Sequence, residues 1–322
     1  TRDLFSNVLL DATFVYSNEV FSNVGIRYRG ESTRDAYPSP YRVKFRDAQE
    51  FEGRERVNLV SDSLGREALT HDLFQRAGLP APDTRFVTLY INGEWEGDYL
   101  DVEQVDRDFL KAHAGEWAAL GDDNDGNLYR GWDGANLKYR GPDADAYRLY
   151  YIKKTNEDED DYTDIISLTQ ALDLSPDETF LAASQSVADM RQWLKWFAIQ
   201  AVVDNREGAL WKGQGDDYFL YHRGFDDRFI LISWDHDSTF RNPYDTIWVP
   251  DTSSTGIVRR ILHYPLFTRW YYQGIIEVAQ GPFSSEEMLP RIAALPDVVD
   301  EEERQALRDF VASRLPNLWT EI

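Results

Sequence analysis

The sequence contains no cysteine, which excludes disulfides and thiolate-bound metals and leaves the redox compartment open. Its five histidines are scattered without an H-x-x-x-H pair, so nothing supports a zinc hydrolase. No run approaches 18 uncharged apolar residues, and no membrane-spanning helix is expected. Internal repeats and long low-complexity linkers are missing, and so is a G-x-S-x-G nucleophile elbow. Positive charge is scarce: 34 Lys and Arg face 57 Asp and Glu, for a net charge of −23. Such a surface repels nucleic acid and anionic membranes, so neither is an expected partner. A solvated acidic surface of a salt-adapted or secreted protein accounts for the charge as well. Against this background, any local cluster of basic residues carries information. Asp123-Asn124-Asp125-Gly126 resembles a calcium loop, but Gly121 and Trp132 stand where an EF-hand needs Asp and Glu. The chain opens at Thr1 on what reads as folded sequence, with no signal-peptide pattern, as a piece trimmed from a longer protein would.

What is present is 322 residues, 42% apolar and 14% aromatic, enough for one large domain or two lobes with a substantial core. Leu9 to Tyr16, Asn23 to Arg29 and Tyr41 to Phe45 read as strands. Ser63 to Ala77 has helical apolar spacing and is ended by Gly78 and Pro80. Arg85 to Ile91 and Asp98 to Glu103 flank the hairpin turn Asn92-Gly93, and Gln104 to Ala112 begins a helix. Gly121 to Gly141 reads as glycine- and aspartate-rich loop, and Asn156 to Asp161 as an acidic, solvated one. Thr163 to Leu172, Ser186 to Val203, Arg259 to Val278, Ser284 to Ala294 and Asp300 to Leu318 read as helices. Asp217 to Tyr221 and Arg228 to Trp234 read as a hairpin. A strand-rich first third followed by a largely helical remainder implies an α+β, two-lobed protein with a cleft between the lobes.

Two groups of residues carry chemistry. Strand alternation puts Arg27 with Arg29 on one face, and Arg42 with Lys44 on one face. If the two strands are neighbours, four cations gather beside the polar turn Gly30-Glu31-Ser32-Thr33. That is a cradle for a polyphosphate, or else a solvent-facing strand surface paired with some of the many acids. The hairpin ends in Ser233-Trp234-Asp235-His236-Asp237, which puts two carboxylates at i and i+2 just past a buried strand. Asp216 and Asp217 stand at its other end, and Asp204, Asn205 and Glu207 follow an apolar helix. Such a set supplies ligands for a hard divalent cation and a base for phosphoryl transfer. The competing reading is a structural acid pair that caps a helix. A Walker P-loop and the H-R-D and D-F-G signatures of ordinary protein kinases are both missing.

Val24-Gly25-Ile26-Arg27-Tyr28-Arg29-Gly30-Glu31-Ser32 resembles the "VGIRxRGNSS" opening of the CotH kinase family, named for spore-coat protein H. Arg66-Glu67, Gly78 to Pro82, Leu89 to Glu94, Val102 to Asp106, Asn127 to Arg130, Tyr218 to Tyr221, Trp234 to Asp237 and Gln280 to Ser284 match further segments in order. The resemblance implies an atypical protein-kinase-like fold, with residues 1–104 as an N-lobe that cradles phosphate and residues 105–322 as a C-lobe. It implies use of ATP with Mg²⁺ or Mn²⁺ to phosphorylate Ser or Thr on a protein substrate. Localisation is left open among extracellular, surface-associated and spore-coat settings. Arg27, Arg29, Ser32, Arg42 and Lys44 would hold the nucleotide, Glu67 would orient a cation, and Glu103 would face the nucleotide at the lobe junction. Asp235 would bind metal with Asp217 or Asp237, and Glu207 or Asp204 would orient the acceptor hydroxyl. Four positions depart from the family pattern. Glu207 replaces the aspartate of N-x-D-G, Asp217 replaces the asparagine of "NYYLY", and Pro38-Ser39 replace a lysine pair. A catalytically weak or inactive structural or binding module of a secreted or surface assembly is the alternative.

Overall fold

In the computed structural model, which describes residues 5–30, 34–35, 37–46, 49–122, 124–205, 208, 210 and 216–322, the alternating sequence from Leu10 onward forms antiparallel strands. These are β1 (Leu10–Tyr16), β2 (Glu19–Tyr28), β3 (Tyr41–Lys44), β4 (Arg56–Val60), β5 (Thr84–Ile91) and β6 (Glu94–Val102). They pair in the order β1-β2-β3-β4-β6-β5. The sheet curls far enough for Arg85 on β5 to lie 5.0 Å over the Tyr16 ring on β1, the opposite edge strand. Val24, Val43, Phe45, Phe51, Val57 and Leu59 fill its concave side. Asn92 and Gly93, at φ 55° and 84°, form the two-residue turn that the sequence indicates. Helix α1 (Leu64–Arg76) sits between β4 and β5. β4 was not evident in the sequence, and it supplies the neighbour that both β3 and β6 need.

The rest of the chain is mostly helical around a second, four-stranded sheet. Its elements are α2 (Arg107–Ala112), β7 (Asn127–Gly131), α3 (Asp145–Arg148), β8 (Tyr151–Lys153), α4 (Thr163–Leu174), α5 (Asp177–Val187) and α6 (Met190–Val202). They continue with β9 (Tyr218–His222), β10 (Phe229–Ser233), α7 (Gly256–His263), α8 (Pro265–Gln280), α9 (Ser285–Ala294) and α10 (Glu301–Glu321). The sheet order is β10-β9-β7-β8. Tyr218, Leu220, Phe229 and Leu231 face the helical core, whereas Phe219, Tyr221, Ile230 and Ile232 face a second core with Leu64, Ala68, Leu100, Phe109 and Leu128. Burial on both faces explains why these strands read as unbroken apolar runs.

Three sequence expectations are corrected. The stretch 121–141, read as loop, contains β7, a strand hydrogen-bonded on both sides to β8 and β9. Its partner β9 lies some ninety positions later, a non-local pairing that four residues between Gly126 and Gly131 do not announce. The expected helix 186–203 is two helices. Ala188 turns extended to bridge Phe229, and Asp189 restarts the helix by accepting the Gln192 N–H at 3.3 Å. The expected helix 259–278 is likewise split, at Pro265, which occupies the first turn of α8 because it has no N–H to give.

Gly126 is required where β7 meets β9. A Cβ there would lie 2.1 Å from the His222 carbonyl oxygen and 2.9 Å from the Tyr221 ring. Gly126→Ala is therefore expected to cost about 2–3 kcal/mol by forcing the strands apart, seen as a lower urea midpoint. An unchanged midpoint would mean that this pairing yields freely.

Candidate active site

The register of β9 and β10 builds the acidic end of the site. Ser233 pairs with Tyr218, so the residues beyond them, Trp234-Asp235 and Asp217-Asp216, leave the sheet side by side. Both turn sharply, with Asp217 at φ 56° and Asp235 at φ 57°. Asp216, Asp217, Asp235 and Asp237 line one side of a cleft of about 590 Å³. Arg27, Arg29, Arg34 and Arg42 line the other side, and Arg130 and Trp132, from β7 and its end, stand between the two. A larger hollow of about 890 Å³ lies within the curled sheet, but it is walled mainly by apolar residues and its Arg85 is paired with Asp101 at 3.3 Å. The polar cleft is where charge-dependent chemistry is possible.

The two sides are electrically opposed. Arg27 and Arg42 stand directly across from each other on β2 and β3, and Arg29 follows β2. The recorded side-chain partners of Arg42 are neutral amides, Asn58 at 2.9 Å and Gln104 at 3.0 Å. Burial, together with Arg29, Arg27, Arg56 and Arg130, lowers the Arg42 pKa to about 9. Burial also lowers Arg29, while Asp235 and Glu67 pull it back up. On the acidic side, burial and the neighbouring Asp235 and Asp216 push Asp217 well above the usual carboxylate range, and Arg130 opposes them. Cations packed against cations and carboxylates packed against carboxylates are each unfavourable alone. An anion and a hard divalent cation, respectively, would relieve them, and an all-oxygen donor set fits Mg²⁺ or Mn²⁺.

A buried polar network holds the acidic end in place. Glu67 on α1 is 3% exposed, and it accepts the His236 backbone N–H at 2.5 Å and the His71 Nε2–H at 3.1 Å. Burial opposes its ionisation, but the hydrogen bond and charge of His71, with His236, hold its pKa below the usual range. His236 itself is driven down to about 3 by burial and His71, so it is neutral. Asn205 is fully buried, donates to Gln200 at 2.8 Å, lies 3.4 Å from His236 Nδ1 and accepts the Gly208 N–H at 2.9 Å.

The structure therefore brings Arg27, Arg29, Arg42, Asp217, Asp235 and Asp237 to one cleft, as the sequence suggested. It places four of the singled-out residues elsewhere. Glu67 lies behind the aspartates and is not among the cleft-lining residues. Lys44, one step further along β3 and opposite Gly25, does not line the cleft. Asp204 is 3% exposed, and its Oδ2 accepts the Asn242 N–H at 2.7 Å, so it braces a loop. Glu103 faces away from the cleft, accepting from Asp83 N–H at 3.1 Å and lying 2.9 Å from His113 Nε2. Ser32 and Glu207 lie outside the described residues. Arg130 and Trp132 were missed as site residues, because the strand that carries Arg130 was read as loop.

A family model described as CotH kinase protein matches residues 26–310, and the chain belongs to that family. By that family it is a kinase-like protein, and its structure is α+β. It is 26% identical over 293 residues to inner spore coat protein H of Bacillus subtilis strain 168, spanning 86% of this chain and 77% of that protein. It is 24% identical over 253 residues to invasin CotH2 of Rhizopus delemar, spanning 74% of this chain and 42% of that protein. Among solved structures, the Helicobacter pylori proinflammatory kinase CtkA superposes with a TM-score of 0.42 at 10% identity, covering 87% of this chain and 93% of that one. A chain of the Shewanella oneidensis MR-1 HipA, HipB and operator DNA complex gives 0.39 at 11% identity, covering 87% and 58%.

Burial pulls His113 down, but hydrogen bonds and charge from Glu103 and Glu116 outweigh it and raise the pKa to about 9. A raised histidine stabilises the fold fully below its unfolded pKa of about 6.5 and loses that contribution as pH climbs through about 9. Melting temperature is expected to fall between those limits, and His113→Gln should flatten the fall. An identical slope in the variant would remove His113 as its cause.

Proposed function

We propose that this chain is a metal-dependent kinase that transfers the γ-phosphate of ATP to a Ser or Thr hydroxyl of a protein substrate. The observation that carries this reading is the split polarity of the cleft, guanidinium groups on one side and crowded carboxylates on the other. Arg27, Arg29 and Arg42 hold the phosphates by charge-assisted hydrogen bonds. Asp235, with Asp217 and Asp237, holds Mg²⁺ or Mn²⁺, which supplies neutralisation of charge on the β- and γ-phosphates. Glu67 does not touch the nucleotide. It fixes the backbone at His236, and hence the aim of Asp235 and Asp237. Ser32, which follows Arg29 in the sequence, would add a hydroxyl contact to the phosphates. Glu207, which stands where the family pattern has its catalytic aspartate, orients the acceptor hydroxyl, whereas Asp204 is occupied with Asn242.

The acceptor is a protein, and an acidic chain favours a basic or neutral one. Similarity to an inner spore coat protein makes the spore coat the first setting to examine, ahead of other extracellular or surface assemblies. Among the described residues no helix is long and apolar enough to cross a membrane.

One observation favours a second reading, a non-catalytic scaffold of the same fold. Asp217 adds negative charge where the family pattern has an amide, and its carboxylate already crowds Asp235. That charge strengthens a metal site while repelling phosphate.

The test is transfer of labelled phosphate from ATP to a Ser/Thr protein substrate with Mg²⁺ or Mn²⁺. Asp235→Ala is expected to lower turnover by about 10²–10³-fold. Glu207→Gln should lower turnover with an unchanged melting temperature, whereas Asp204→Asn should lower the melting temperature. No label with any metal, together with a melting point indifferent to nucleotide plus metal, would overturn the kinase reading in favour of the scaffold.

A further inference from the structure

Side chains alternate along a strand, so Leu128, Arg130 and Trp132 share one face of β7 and its continuation. Leu128 packs into the core with Phe219 and Ile232. Two residues further on, that face has left the core and lines the cleft as Arg130 and Trp132. Arg130 stands opposite Phe219 in the ladder, which places it diagonally from Asp217 on the same face before the chain turns at Asp217. Its guanidinium lies 4.8 Å over the Trp132 ring. Its Nε is buried and has no hydrogen-bond partner among the described residues.

Arg130 thus belongs to neither side of the cleft alone. It repels Arg29 and Arg42, and it attracts Asp217. Stacking on Trp132 holds the guanidinium plane and leaves its edge donors free to choose a partner. In this chain Pro38 and Ser39 also stand where the family pattern has two lysines, so a cation supplied from the second sheet matters more.

We propose that Arg130 is a shared counterion: it offsets the charge at Asp217 across the cleft in the metal-free protein, and it turns to the nucleotide phosphates when a divalent cation occupies the carboxylates. Metal and nucleotide binding are then coupled through one guanidinium. This rests on the kinase reading and goes beyond it by predicting effects of opposite sign on the two ligands.

The experiment is calorimetric titration of the intact protein, Arg130→Gln and Arg130→Lys, first with Mn²⁺ alone and then with a non-hydrolysable ATP analogue in the presence of Mn²⁺. Arg130→Gln removes a cation that competes at Asp217, so Mn²⁺ alone is expected to bind about 3–10-fold tighter. The same variant loses a charge-assisted contact to phosphate, so the analogue is expected to bind about 10–100-fold weaker. Arg130→Lys keeps the charge without the fork and should fall between. A parallel loss of both affinities with a lower melting temperature would mean a structural role and overturn the proposal, as would an analogue affinity that Arg130→Gln leaves unchanged. If the unsubstituted protein binds Mn²⁺ but no analogue, the kinase reading falls. If it binds both and Arg130→Gln behaves like it, only the counterion proposal falls.

Discussion

The two-sided burial of the β9–β10 hairpin is the constraint on which the rest of the structure depends. Eight consecutive-facing side chains, from Tyr218 to Tyr221 and from Phe229 to Ile232, all lie in one or other core. Each contributes roughly 1.5–3 kcal/mol of burial. Slipping one strand by a single residue would shift every pairing along the hairpin and misalign its ends. The register is therefore fixed, and with it the place where the strands end. Because Ser233 pairs with Tyr218, the chain delivers Trp234-Asp235 and Asp216-Asp217 to the same mouth. Four carboxylates are crowded together by packing energy that comes from elsewhere.

The opposing side follows the same logic. Alternation along β2 and β3 brings Arg27 and Arg42 face to face, an arrangement unfavourable in itself. The curled sheet and α1 hold it there, and Glu67 connects that half of the molecule to the acidic half through the His236 N–H. α1 thus positions the Asp235–Asp237 turn directly, while Glu67 also lies within electrostatic reach of Arg29. The cleft is a place where two unfavourable charge clusters are kept close but unmixed, with Arg130 between them. Polar groups strained in this way commonly mark a functional site.

Much of this was legible beforehand. The hairpin announced itself by its apolar runs, and the aspartates by their position just past it. Arg27, Arg29 and Arg42 followed from strand alternation. The less legible parts were those whose structure depends on distant partners. β4 and β7 are five-residue strands that gain stability only from non-local neighbours. The helix breaks at Ala188 and Pro265 were hidden by continuous apolar spacing across them. Glu103 was expected to face the nucleotide from the lobe junction, yet it turns toward His113 and Asp83.

The sequence by itself determined the acidic character, the α+β order of elements, the hairpin and the family, because these depend on composition, periodicity and motifs read along the chain. Only the tertiary structure decided which candidates share a cleft. It put Asp204 to work on Asn242, set Glu67 behind the aspartates, left Lys44 outside and brought Arg130 in. The physical reason is that side-chain alternation specifies which face a residue occupies, but not where along that face the core ends and the cleft begins. That limit is set by the strands and helices packed against it.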